Sequence, residues 1–157
     1  RRRATALEPG LWFVPLDLQA HGAFFETCAA EAWEDAGEKC PFSPQRLRDG
    51  ITSRTTLVGF RDEEPVGLVQ VGPAPGWISL LAIRREYRGR GFGVQLIGQA
   101  VQLARGRGAQ TVRIAPPEEA AARTFLADYG FAPAETTVAD RTVLEKDIAF
   151  RKEFLGD

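Results

Sequence analysis

Ile83-Arg84-Arg85-Glu86-Tyr87-Arg88-Gly89-Arg90-Gly91-Phe92-Gly93 joins two segments of different periodicity. Before it, Trp77 to Ile83 is apolar almost throughout, as in a strand buried in the middle of a sheet. After it, Val94, Ile97, Val101 and Ala104 recur at helical spacing and predict one buried helix face, ended by Gly106 and Gly108. Thr111 to Ala115 then reads as another strand. The run is therefore the first turn of a strand–helix–strand crossover.

Upstream, Thr55 to Phe60 and Pro65 to Val71 read as strands joined by a hairpin turn at Arg61-Asp62-Glu63-Glu64, and Pro73-Ala74-Pro75-Gly76 makes the next turn. Leu11 to Leu16 predicts a short entering strand. His21 to Ala36 predicts a helix carrying Phe24, Phe25, Cys28, Ala29 and Trp33, stopped by Gly37. Pro41 and Pro44 break the chain again, and Ser43 is placed to cap a short helix through Leu47. Downstream, Pro117 suits the first turn of a helix with Glu118 and Glu119 at its positive end. Phe125 lies on that helix, Gly130 closes it, and a β-rich tail runs from Phe131 to about Ile148. An antiparallel meander before a crossover makes this an α/β chain, or α+β by some schemes.

The chain has 157 residues, 44% of them hydrophobic, which suits one domain with its own core. With 20 basic and 21 acidic side chains the net charge is −1, giving no reason to expect a nucleic-acid partner. No apolar run approaches the ~20 residues that cross a bilayer, and the start lacks the apolar segment of a signal peptide. A soluble, cytoplasmic protein with no membrane partner is expected. Cys28 and Cys40 form no CxxC pair, which argues against a disulfide framework and a structural metal site. No methionine occurs, even at position 1. The chain is thus expected to be processed or cut from a longer polypeptide, with residues 1–10 as a linker remnant and 11–157 as a single domain. Fusion to another domain and a homodimer are both compatible with such a module.

A glycine-rich turn between a strand and a helix can seat an anion, because the first helical N–H groups lack internal partners and the dipole is positive there. Residues 84–107 hold six Arg and one Glu, a net of +5 inside a chain of −1. A mononucleotide loop needs GxxxxGK, and no Lys lies between Lys39 and Lys146. A dinucleotide GxGxxG fits poorly, since Val94 stands where the third glycine belongs. The pyrophosphate of coenzyme A, another anion, or a purely structural turn remain.

The run from Ile83 to Gly93 resembles the acyl-CoA signature of the GNAT superfamily of N-acetyltransferases: a strand end, then Arg or Gln-x-x-Gly-x-Gly or Ala. Ala122-Arg123-Thr124-Phe125-Leu126-Ala127-Asp128-Tyr129-Gly130-Phe131 resembles the second signature of that family. The resemblance implies a mixed, mostly antiparallel central sheet flanked by helices, with a splayed strand pair forming a slot. It also implies acetyl transfer from acetyl-CoA to an amine, small-molecule or peptide, by direct attack and without a metal. Leu81, Ala82 and Ile83 would then pair with the pantetheine arm through their backbone, while Arg88, Gly89, Arg90, Gly91, Phe92, Gly93 and Val94 wrap the pyrophosphate.

Catalytic side chains are less legible. In the family a Tyr commonly follows the aromatic of the second signature, but here that position is Leu126. Tyr129, three residues on, is the candidate acid, set against a plain packing role. Trp77, Ile78, Ser79 and Leu80 offer no carboxylate as base. Glu26, Glu31, Glu34 and Asp35 belong to the first helix, where residues 26–39 sum to −4, a face able to attract a cationic amine or simply to be solvated. His21 reads as a cap or surface residue, and Cys28 as core. A non-catalytic acyl-CoA sensor and an interaction domain without ligand are the rival readings.

Overall fold

The computed structural model describes residues 10–36, 41–138 and 141–149. Gly37, Cys40 and nearly all of the expected linker lie outside them. The elements are β1 Trp12–Pro15, α1 Leu18–Ala36, α2 Pro44–Asp49, β2 Thr56–Arg61, β3 Glu64–Val71 and β4 Trp77–Ile83, followed by α3 Phe92–Gly106, β5 Thr111–Ile114, α4 Ala120–Tyr129, β6 Ala132–Val138 and β7 Arg141–Asp147. The seven strands form one sheet in the order β1-β2-β3-β4-β5-β7-β6. β4 and β5 run parallel, as a crossover through α3 requires, and the other neighbours are antiparallel. This is the expected mixed, mostly antiparallel sheet with helices on its faces. No helix among the described residues is long and apolar enough to cross a membrane.

Period-2 alternation splits the core in two. Leu68 and Leu80 join Phe25, Cys28, Ala29 and Leu47 beneath α1 and α2. Val69, Val71, Ile78, Val112 and Ile114 join Leu96, Ile97, Ala100 and Leu126 beneath α3 and α4. Each fully buried Leu, Ile or Phe in these layers contributes about 1.5–3 kcal/mol.

Local signals place several element ends. Ser43 Oγ accepts from the Arg46 N–H at 3.2 Å and Pro44 opens α2. Asp62 takes a left-handed φ of 55° in the β2–β3 hairpin, a conformation its short polar side chain tolerates. Gly130 ends α4 at φ 116°, and Phe131 N–H reaches back to Leu126 O at 3.0 Å.

Three expectations are corrected. Val94 is 50% exposed; Phe92, Leu96 and Ala100 complete the buried stripe with Ile97, Val101 and Ala104. Residue 94 follows the buried Phe92 by two positions, about 200° around the helix, and so faces outward. Trp33 is likewise exposed. The fourth helix begins at Ala120 rather than at Pro117, with Glu119 as its extended N-cap; Arg123 Nη1 donates instead to the carbonyls of Pro117 and Glu118, holding them outside the helix.

Candidate active site

β4 and β5 touch only where Trp77 faces Arg113 and Ile78 faces Ile114. Beyond that point β4 continues through Ile83, whereas β5 ends and the chain turns away through Pro116 and Pro117, which have no N–H to donate across the gap. A β-bulge lies at the divergence. Val71 pairs with Ile78 and Gln70 with Leu80, so Ser79 is an extra residue without a partner on β3. The bulge bends β4 and reverses its alternation: Trp77 and Leu80 both face α1, while Ile78 and Leu81 both face α3. Leu81, Ala82 and Ile83 thereby keep β3 on one flank and meet no β5 strand on the other.

The part of β4 unpaired with β5 leads to the turn that opens α3. Gly89 and Gly91 adopt φ values of 77° and 84°, a region side chains rarely enter, and a Cβ at either would meet no protein atom within 4 Å. Gly91 is the N-cap and makes no side-chain cap hydrogen bond to the first N–H groups of the helix. Gly93 serves close packing instead: a Cβ there would lie 3.1 Å from Phe125 Cζ, pressing the start of α3 against α4. Phe92, 1% exposed, anchors the turn from below. Tyr87 packs edge-on to Phe92, and the Arg90 guanidinium stands over both rings at 5.2 and 5.6 Å.

Not every local arginine faces that turn. Arg105 Nε holds Ile148 O and Arg107 Nη2 holds Pro73 O, both at the far end of α3. Arg84 pairs with Glu86 and Glu64. Arg88 Nε donates to Ile83 O at 2.9 Å while its Nη1 stands 4.0 Å from Glu119, so the side chain spans from the end of β4 to the N-cap of α4. A charge count along the sequence therefore overstates the positive charge free to meet an anion.

On the opposite face, α1 and the turn after β4 border a half-open hollow of about 430 Å³ lined by Phe24, Thr27, Cys28, Glu31, Arg84, Arg85 and Glu86. No periodicity in the sequence announced it. Burial, and then the nearby Glu31 carboxylate, push the Cys28 thiol up to about 12. It is a neutral thiol at physiological pH and no nucleophile. Iodoacetamide at pH 8 is expected to leave the peptide containing Cys28 unmodified in the folded protein, read by mass spectrometry; fast alkylation would show that the pocket floor is open. Glu26 is paired with Arg48. His21 Nδ1 accepts the Asp17 N–H at 3.0 Å, the capping role expected of it.

Leu126, 2% exposed, belongs to the core beneath α4. The Tyr129 ring lies 6.4 Å from Phe131, with Lys146 Nζ 5.7 Å from its centroid, at the β7 side of α4.

These features bear comparison with known proteins. The sequence profile of the GNAT acetyltransferase family matches residues 24–131. No protein of curated function matches the chain by sequence. Among solved structures, the PaiA N-acetyltransferase of Thermoplasma acidophilum, in complex with coenzyme A, is similar with a TM-score of 0.67 at 17% identity, over 88% of this chain and 99% of that one. The ribosomal-protein-S18-alanine N-acetyltransferase of Escherichia coli gives 0.63 at 16% identity, over 90% and 96%. N-acetylglutamate synthase of Neisseria gonorrhoeae, complexed with coenzyme A and N-acetyl-glutamate, gives 0.71 at 16% identity, over 91% of this chain but 36% of that one. At these identities the likeness concerns the fold. Since the profile runs from within α1 to Phe131, just past α4, and so covers more than half of the chain, the chain belongs to the GNAT acetyltransferase family.

Proposed function

We propose that this chain is an N-acetyltransferase carrying an acetyl group from acetyl-CoA to a primary amine of a small molecule or peptide. One observation carries the reading: the strand that parts from its neighbour at Ser79 runs directly into an uncapped helix start at Gly91. The flank of β4 beyond Ile78, which pairs with no β5 residue, suits an extended thioester arm, with the Ile83 carbonyl already held by Arg88 Nε. An N-terminal turn with open space before two left-handed glycines suits a pyrophosphate.

In this reading Leu81, Ala82 and Ile83 hold the arm through their backbone, and an N–H of this strand stabilises the charge developing on the acyl oxygen. Arg88, Gly89, Arg90, Gly91, Phe92, Gly93 and Val94 surround the phosphates. Their main-chain N–H groups do most of this, Arg88 and Arg90 being tied to Ile83 O and to the aromatic pair. The bound co-substrate supplies the activated acyl group.

Tyr129 is the one side-chain candidate for the acid of the departing thiolate, and its ring, beside Phe131 and Lys146, is read first as packing. A coenzyme A thiolate is a fair leaving group, and water can protonate it. Tyr129→Phe is therefore expected to change kcat less than about threefold, whereas a loss near a hundredfold, the usual scale for a general acid, would establish the tyrosine in that role.

Calorimetry with acetyl-CoA, followed by thiol release over a broad amine panel, tests the whole reading. Binding with turnover on at least one amine is expected; absence of binding would end it. The non-catalytic sensor reading has Leu126 in its favour, because a buried leucine donates no proton. Tight binding with no turnover on any amine would select it.

A further inference from the structure

We infer that Gln95 is a positioning residue for the phosphate seat, acting by tying the first turn of α3 to the N-terminal strand through Leu11. This rests on the acetyltransferase reading and adds β1 to the elements that hold the coenzyme. Leu11 N–H donates to Gln95 Oε1 at 2.7 Å, in partly buried surroundings and across 84 positions of the chain. Leu11 stands one residue ahead of β1, so this bond lies outside the ladder that β1 makes with β2. A Cβ at Gly59 of β2 would lie 2.7 Å from Phe13 Cε1 and 3.2 Å from Leu11 Cδ1. Glycine at that position lets both side chains lie across β2 and brings the Leu11 main chain to α3.

Gln95 has a particular place in the helix. The carbonyl of the N-cap, Gly91, accepts the first intrahelical bond from the N–H four residues on, which is that of Gln95. The N–H groups left without a helical partner are those of Gly91, Phe92, Gly93 and Val94, the run proposed to meet the pyrophosphate. Gln95 closes the turn that presents them, so a hold on its side chain is a hold on their direction. Phe92 anchors that turn from below, and Gly93 packs it against Phe125 of α4. Residues 93 and 95 lie about 200° apart around the helix, so α4 and the start of β1 grip it from opposite sides. Arg88 and Arg90 are engaged with Ile83 O and with the Tyr87 and Phe92 rings, which leaves most phosphate contacts to the main chain. Preset donors of this kind lose affinity when the residues supporting them are loosened.

Gln95→Met keeps the length of the side chain and removes the acceptor; Leu11→Pro removes the donor. Each is expected to weaken acetyl-CoA binding about threefold to tenfold in calorimetry, the scale of one hydrogen bond. The double variant should bind no more weakly than the weaker single one, because both changes delete the same bond. Should the proline displace β1, the half-buried Gln95→Met decides alone. Binding couplings are reciprocal, so acetyl-CoA should in turn slow hydrogen exchange at the Leu11 amide, read by NMR. The control is Leu16, whose N–H bonds Thr56 O at the other end of β1 and reports stabilisation of the whole strand. Leu11 is expected to slow at least about threefold more than Leu16, and that difference should vanish in Gln95→Met. A contact that merely supports the fold would lower Tm and leave the two amides slowed alike. Affinity losses under threefold in Gln95→Met, or equal slowing at Leu11 and Leu16 in a protein that binds acetyl-CoA, would overturn the role of Gln95 and leave the transferase standing. A wild-type protein that does not bind acetyl-CoA would remove the transferase and this role together.

Discussion

Gly91→Asn is expected to leave the fold intact and to weaken acetyl-CoA binding at least a hundredfold, about 2.7 kcal/mol. The two halves of this expectation have separate causes. Residue 91 sits at φ 84°, which asparagine tolerates better than any β-branched residue, and its Cβ would meet nothing within 4 Å. Stability should therefore fall by no more than about 1 kcal/mol, a few degrees in Tm for a domain of this size. The amide group, however, fills the space in front of the α3 N–H groups, where the phosphates are proposed to sit. Gly91→Val mixes the effects, since a β-branched side chain is strained in that region before it obstructs anything. Calorimetry and thermal denaturation on the Asn variant separate them. Affinity retained within threefold would remove the pyrophosphate from this turn.

Phe92→Ala is expected to cost about 3–5 kcal/mol of stability, the range for deleting a buried aromatic side chain, read by urea denaturation. Phe92 is 1% exposed and wedges the first turn of α3 into the core, while its ring also supports Tyr87 and Arg90. Removing it leaves a void beneath the turn. The N–H groups above then lose their common direction, so acetyl-CoA affinity should fall together with stability. A loss below about 1 kcal/mol would mean that Gly93 and Phe125 alone seat the helix.

Much of the site was legible because it is written locally. A strand, a turn with glycines at two left-handed positions and an amphipathic helix each follow from residues within a few places of one another. The same holds for Ser43 over Arg46 and for Gly130 at the end of α4. Errors arose where a residue's surroundings depend on distant chain. Val94 has helical spacing to Ile97 and Val101, yet the face α3 buries is set by the sheet below it, which receives Phe92, Leu96 and Ala100. The charge count around the loop failed for a similar reason: Arg105 and Arg107 were counted with the turn although they hold carbonyls at the other end of their helix.

By itself the sequence determined the element order, the crossover, the glycine-rich turn before α3 and the family, because backbone freedom and periodicity are properties of short segments. The tertiary structure alone decided that Ser79 bulges, that β4 leaves β5 after two paired residues and that Glu31 and Arg85 border one hollow. Those outcomes depend on register between strands and on which helix packs over which turn. Seven nearly uniform apolar residues from Trp77 to Ile83 carry no mark of where a strand will gain a residue against its neighbour.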